Sequence, residues 1–231
     1  MHIRNILKLT GLMIVATLGS AQNAQAQTDL WGGEVNANVA VVSDYRFRGV
    51  SKTDNDFAVQ GNLDWVSDSG LYTGLWASNV SDFKGADLET NLYLGINKEI
   101  NGFIYDAGFT AYVYPGGTNA NYIETYGSVG VDFGLLTSSV GMAYIFSSDN
   151  IGNQDNIYFY NNTRAKIPNT PFSIEAHLGY EDGAFGNKKW DWKLGASVSF
   201  DQFEVGISYV DTNIIGKRSD SGVIFKVGAY F

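Results

Sequence analysis

From Glu34 onward the sequence alternates strictly between apolar and polar residues over stretches of about ten positions. Ile123, Thr125, Gly127, Val129, Val131 and Phe133 interleave with Tyr122, Glu124, Tyr126, Ser128, Gly130 and Asp132. The same pattern recurs over 103–114 and 189–200, and no sustained 3.6-residue stripe appears after the first 26 residues. A period of two means extended chain with two different environments on its two faces. Repeated ten-residue segments of this kind, broken by turn residues, are the signature of strands that cross a bilayer as a closed barrel.

Twelve such strands are predicted, over 35–42, 59–66, 71–79, 87–96, 103–114, 122–133, 135–146, 157–167, 172–180, 189–200, 203–210 and 222–231. Their connections alternate in length. Those at 67–70, 97–102, Gly134, 168–171 and 201–202 are short, whereas 43–58, 80–86, 115–121, 147–156, 181–188 and 211–221 are mostly longer and polar. Short turns at one end, long loops at the other and an even strand count predict an all-β, antiparallel transmembrane β-barrel with both termini on the periplasmic side.

The distribution of charge separates this from a soluble β-sandwich. On the more apolar register of the twelve strands there is no Asp, Glu, Lys or Arg. The other register carries nine acids (Asp64, Asp87, Glu89, Asp106, Glu124, Asp132, Glu175, Asp191 and Glu204) and five bases (Arg164, Lys166, Lys189, Lys193 and Lys226). Lipid enforces such a rule, because an Arg or Lys at the midplane costs about 2–4 kcal/mol. Aromatic residues of the apolar register gather at strand ends. Trp65, Phe103, Phe133, Phe172, Phe200, Phe203 and Phe231 lie on the short-turn side, with Tyr144, Phe146, Tyr180, Trp190, Trp192 and Tyr209 on the long-loop side. Two girdles at the two headgroup regions are expected from rings with one apolar and one polar end.

Residues 1–26 read as an address. Arg4 and Lys8, an apolar run from Leu7 to Leu18 and the closing Ala24-Gln25-Ala26 describe a secretory signal peptide cleaved after Ala26, leaving 27–231 as one barrel domain. With no Cys, the chain lacks disulfides, thiolate metal ligands, thiol nucleophiles and an acylated lipoprotein cysteine. Fifteen Lys and Arg against 24 Asp and Glu argue against nucleic acid as a partner.

The stretch VAVVSDYRFRGVSKTDNDFAVQGNLDWV (39–66), with GLYTGLWASNV (70–80) and ADLETNLYLGI (86–96), resembles the TorF-type porins of Gram-negative bacteria, most specifically in SDYRFRGVS (43–51). Beyond residue 96 the barrel pattern rather than a motif carries the likeness. The resemblance implies a cell outer-membrane barrel with a channel role and names no substrate. The final strand, ending on Phe231, resembles the C-terminal strand that the barrel-assembly machinery reads in such proteins. Outer-membrane lipid and lipopolysaccharide are the other expected partners.

Twelve strands enclose a lumen narrower than that of 16–18-stranded porins. The expected function is passive diffusion of small hydrophilic solutes or ions, with a weak cation preference from the excess of lumen acids. The expected pore-lining residues are Asp64, Asp87, Glu89, Asp106, Glu124, Asp132, Arg164, Lys166, Glu175, Asp191, Lys193, Glu204 and Lys226. The first long loop, with Asp44, Arg46, Arg48 and Lys52, is a candidate constriction, and the alternation of Arg46 and Arg48 suggests a shared target, a lumen carboxylate or a phosphate. A closed structural barrel presenting its loops is the alternative, with the inward rings of Trp76, Tyr93, Tyr112, Tyr114, Tyr126, Tyr158 and Tyr160 as its filling.

An outer-membrane hydrolase centred on His177, the one histidine after residue 26, is a weaker alternative. Glu175-x-His177 and Asp87-x-Glu89 resemble the acid–histidine and acid pairs of omptin proteases. Omptins, however, are longer, have ten strands and carry Asp at these positions. No enzyme activity and no catalytic residue is therefore expected. The asparagine-rich loops TNANY and SDNIGNQDN lack a defined ligand spacing, so neither metal nor cofactor is expected.

Overall fold

The computed structural model describes residues 31–231; the expected signal peptide lies outside the described residues. Twelve antiparallel strands close into one barrel. They are β1 (Gly33–Val42), β4 (Ala58–Ser67), β5 (Leu71–Phe83), β6 (Ala86–Ile100), β7 (Phe103–Val113), β8 (Tyr122–Asp132), β9 (Leu136–Ile145), β10 (Asn156–Lys166), β11 (Phe172–Gly183), β12 (Gly186–Phe200), β13 (Phe203–Thr212) and β14 (Gly222–Tyr230). Each pairs with its neighbours in sequence, and β1 pairs with β14 from Asn38↔Tyr230 to Val42↔Lys226 to close the ring. Two further strands, β2 (Arg46–Phe47) and β3 (Val50–Ser51), form a separate small hairpin in the first loop.

Turn chemistry fixes the short-turn end. Between β6 and β7 the chain reverses through Asn101 and Gly102, both at positive φ (56° and 80°), the conformation of a two-residue hairpin loop that follows strand twist. At the other end two expected loops are instead extensions of strands. The segment 80–86 continues β5 and β6 to a turn at Lys84-Gly85, and 181–188 continues β11 and β12 to a turn at Ala184-Phe185. Rings explain the extension: Phe83 packs 4.3 Å from Tyr114, and Phe185 lies 5.1 Å from Tyr122.

The barrel is inside-out compared with a protein folded for water. Leu92 (52% exposed), Phe109 (58%) and Leu194 (60%) stand on its outer surface, while Glu89, Asn91, Glu124, Glu181 and Glu204 are buried within. Lys98, Asp182, Lys188 and Asp211 enter the outward register only at strand ends. A continuous apolar exterior of this size needs a nonaqueous neighbour, and a closed barrel leaves no unpaired strand edge facing it. No helix among the described residues is long and apolar enough to cross a membrane.

Candidate functional site in the barrel lumen

The first loop, 43–57, turns into the barrel. Its hairpin reverses at Arg48 and Gly49, both at positive φ (48° and 83°). A Cβ at Gly49 would lie 2.9 Å from Asp191 Cβ and 3.0 Å from Thr212 Cβ, so the tip is wedged against the wall at a place only glycine fits.

Arg48 projects from this tip and is 2% exposed. Its Nη2 pairs with Glu124 of β8, its Nη1 lies 2.7 Å from Glu181 Oε1 of β11, and its guanidinium stacks between Phe47 (4.8 Å) and Tyr158 (4.1 Å). Glu181 also pairs with Lys189 and accepts from Asn156 Nδ2 at 3.0 Å, while Glu124 accepts from the Tyr112 hydroxyl at 3.2 Å. Nearby, Tyr45 donates to Glu89 Oε1 (3.2 Å) and packs on Trp76, and Tyr114 donates to the other Glu89 oxygen (3.0 Å). Lys52 is half-buried, with its ammonium 4.4 Å from the Phe83 ring centre, and burial pushes its pKa below the usual lysine value. The hairpin is thereby clamped by charge-assisted bonds to strands on both sides.

Arg46 does not share the target of Arg48. It pairs with Asp44 and donates to the carbonyls of Gly49 (3.2 Å), Arg218 (3.2 Å) and Asp220 (2.8 Å) and to Asn55 Oδ1 (2.8 Å). The alternation of the two arginines is real, but a cradle shared by the first and last loops takes one and the wall takes the other. Asp44 also accepts from Ser51 (2.5 Å) and Thr53 (3.1 Å). Outside, Asp54 bridges to Lys217 (2.9 Å) and Arg218 (3.3 Å), tying the first loop to the last.

The remaining wall charges form separate groups. Arg164 links Glu175 (2.9 Å) and Glu204 (3.2 Å), which also reach Lys193 (3.4 Å) and Lys226 (3.3 Å), respectively. Asp64 is held by Tyr93 and Asn62, and Asp106 by Tyr72 (2.7 Å) and Asn97 (3.3 Å). His177 lies 3.0 Å from Asp191 and 2.8 Å from the Tyr158 hydroxyl through Nε2, and 2.6 Å from Asn162 through Nδ1. Its carboxylate neighbour is thus Asp191, whereas Glu175 is occupied by Arg164 and Lys193. Asp87 is exposed near the start of β6, Lys166 is half-buried at the end of β10, and Asp132 accepts from the Gly134 N–H (2.6 Å) to shape a turn. Between the hairpin and the β12–β14 wall lies a cavity of about 70 Å³, lined by Asp44, Arg46, Arg48, Asp191, Lys193 and Lys226 among others.

The Gcw_chp family model, described as a bacterial protein of unknown function, matches residues 25–222. The chain belongs to the Gcw_chp family. No curated protein matches it. In fold this Gcw_chp barrel is similar to the KdgM porin (TM-score 0.60, 10% identity, 85% of this chain and 98% of that chain). It is also similar to the NanC porin (TM-score 0.56, 9% identity, 85% and 98%). A third similar structure is the COG4313 outer membrane channel from Pseudomonas putida F1 (TM-score 0.52, 11% identity, 88% and 96%).

Two parts of the Gcw_chp lumen escape the reading of the sequence. Glu181 becomes a wall residue because β11 runs past Tyr180; the alternation Glu175, His177, Gly179, Glu181 already carries that signal. Tyr72 joins Asp106 and Tyr126 in a hydroxyl–carboxylate chain, with the two tyrosine oxygens 2.6 Å apart.

Proposed function

We propose that this Gcw_chp barrel is an outer-membrane channel of narrow bore, constricted by its first loop. The observation that carries this reading is a charged, tyrosine-rich lumen inside an apolar exterior, with Arg48 holding a hairpin across the lumen. The fold shared with the KdgM and NanC porins and the likeness of SDYRFRGVS to TorF-type porins support it. β1 begins and β14 ends at the short-turn end, which we assign to the periplasm, so the hairpin enters from the cell exterior among the lipopolysaccharide. The strand ending at Phe231 is then the part offered to the assembly machinery.

The solutes are small and hydrophilic. Arg48 and Lys52 add positive charge to the lumen, and Arg46 offsets Asp44, so the acid excess of the strands narrows. Asp64 and Asp106, bonded to hydroxyls and amides, supply the remaining negative field and a weak cation preference. His177 has a role in packing here, not in catalysis.

A closed barrel is the second reading. The packing of Tyr45, Phe47, Trp76, Tyr112, Tyr114 and Tyr122 in one buried cluster favours it. Single-channel recording of refolded residues 27–231 in a planar bilayer under a salt gradient separates the two. Discrete steps with modest cation selectivity support the channel. Silence from protein that shows a heat-modifiable gel shift overturns it in favour of the closed barrel.

A further inference from the structure

The apolar exterior of the barrel carries few charges. At the long-loop end Asp182 accepts from the Lys188 N–H (3.0 Å) and Asp211 from the Tyr209 hydroxyl (2.9 Å). Among the described residues, Lys98 is the one charged residue of the outward register at the short-turn end. Neither its ammonium nor the hydroxyl of Tyr105, its cross-strand neighbour on β7, has a hydrogen-bond or ion-pair partner among the described residues. We propose that the outer face of β6–β10 holds one phospholipid, with its phosphate received by Lys98 and Tyr105 and one acyl chain lying in the groove beside them.

Depth and shape both point to such an occupant. β6 runs on past Lys98 to Ile100, which pairs with Phe103, and both are exposed apolar residues. Lys98 therefore stands about 7 Å inside the end of its strand, with apolar side chains between it and water. A lysine there turns its ammonium toward the headgroups, and an anionic headgroup is the partner that its charge favours. Beside it a shallow groove crosses the outer wall. Ala107 and Gly127, paired across β7 and β8, form its floor, and Ile96, Met142 and Phe159 rise around them. A Cβ at Gly127 would meet only the Asp106 carbonyl oxygen, at 3.6 Å, so the wall does not need glycine there and the space above it is open to lipid.

With the short-turn end at the periplasm, this lipid belongs to the inner leaflet, so it is a phospholipid and not lipopolysaccharide. The inference goes beyond the channel reading, because it uses the outer face alone and holds for an open or a closed barrel. Its leaflet rests on the proposed orientation, which protease added to whole cells tests separately through cleavage of the long loops.

The test is native mass spectrometry of the refolded barrel released from a mild detergent that contains phosphatidylglycerol. One lipid retained per barrel is expected with the unmodified chain. Lys98→Gln should lower retention about tenfold, the scale of one charge-assisted hydrogen bond. A diacylglycerol of the same chains, which lacks the phosphate, should be retained at least as poorly by the unmodified chain. Gly127→Leu, which fills the groove while leaving every charge in place, should abolish retention. Lys188→Gln, on the outward register at the opposite end, should leave it unchanged. Each variant is first checked for the heat-modifiable shift of a folded barrel. Absence of retained lipid on folded, unmodified protein overturns the site, as does retention undiminished in the Lys98 and Gly127 variants or equal for the two lipids. A barrel dimer in place of the lipid complex, dissociated by Gly127→Leu, overturns it in favour of a second copy on the same groove. Retention by a barrel whose short turns are the ones cut on whole cells would keep the binding site and overturn the orientation.

Discussion

The guanidinium of Arg48 lies 4.1 Å over the ring centre of Tyr158, whose hydroxyl in turn stands 2.8 Å from His177 Nε2 and 3.2 Å from both oxygens of Asp191. The ring is a floor fixed from below by the β11 and β12 side chains it touches. A loop cation is thereby held by a face of fixed tilt as well as by two carboxylates. Such a seat resists both withdrawal and rotation of the hairpin.

Replacing Arg48 by Ala should free the hairpin. It leaves Glu124 and Glu181 without their shared cation, and breaking a buried pair in this way costs about 3–5 kcal/mol. The expected result is a larger single-channel step and a lower temperature for loss of the compact gel band. An unchanged step size would mean that the hairpin does not limit conduction.

Gly49→Val should reproduce the larger step with every charge intact. The added side chain meets Asp191 and Thr212 at a residue whose φ of 83° already disfavours it. Agreement between this variant and Arg48→Ala, measured by step size, assigns the effect to the seating of the hairpin rather than to local electrostatics.

Insertion separates the two faces of a strand. Leu92→Arg or Val129→Arg places a cation on the exposed apolar exterior and should block assembly into liposomes, at a cost of about 2–4 kcal/mol at the midplane. Ser128→Lys, one residue from Val129 and on the inward register, should assemble normally. Equal behaviour in a protease-protection assay would contradict the assignment of faces.

Acid should loosen the tie between the first and last loops. The hydrogen bond from Lys217, with that from Arg218, holds the Asp54 carboxyl below the usual Asp pKa. Because the folded value is depressed, the tie is complete above the unfolded value of about 3.9 and is lost as pH falls through the folded one. Current noise from loop motion should rise below about pH 4, and Asp54→Asn should show that noise at neutral pH.

The twelve strands are legible because lipid and lumen impose opposite demands on neighbouring residues, and a period of two records both. Strand ends at the long-loop side are less legible. Gly85 is a turn residue at positive φ, but Lys84 stands where Asn or Asp usually precedes it, and Ala184-Phe185 holds no turn residue at all, so the tips are set once Phe83 and Phe185 have rings to meet. The inward turn of the first loop is visible as two arginines in a motif, but their fates diverge for reasons sequence spacing does not hold. Arg46 is captured by carbonyls of Arg218 and Asp220, far along the chain, while Arg48 reaches Glu181 because β11 outlasts its apolar run. The hairpin turn itself has Arg where Asn or Asp usually precedes Gly, so the usual signal is missing.

The β1–β14 pairing ties the closing of the ring to the seating of the first loop. The hairpin follows β1 directly and the carbonyls that cradle Arg46 directly precede β14, so the two halves of that cradle are brought together by the seam that joins the first strand to the last. Until the seam is zipped, Arg46 lacks the Arg218 and Asp220 carbonyls and Ser51 lacks its backbone partner on Arg218. Sealing the edge of the wall and completing the Arg46 cradle are therefore one and the same event, so a ring left open at this seam would lack both its seal and one anchor of its stopper.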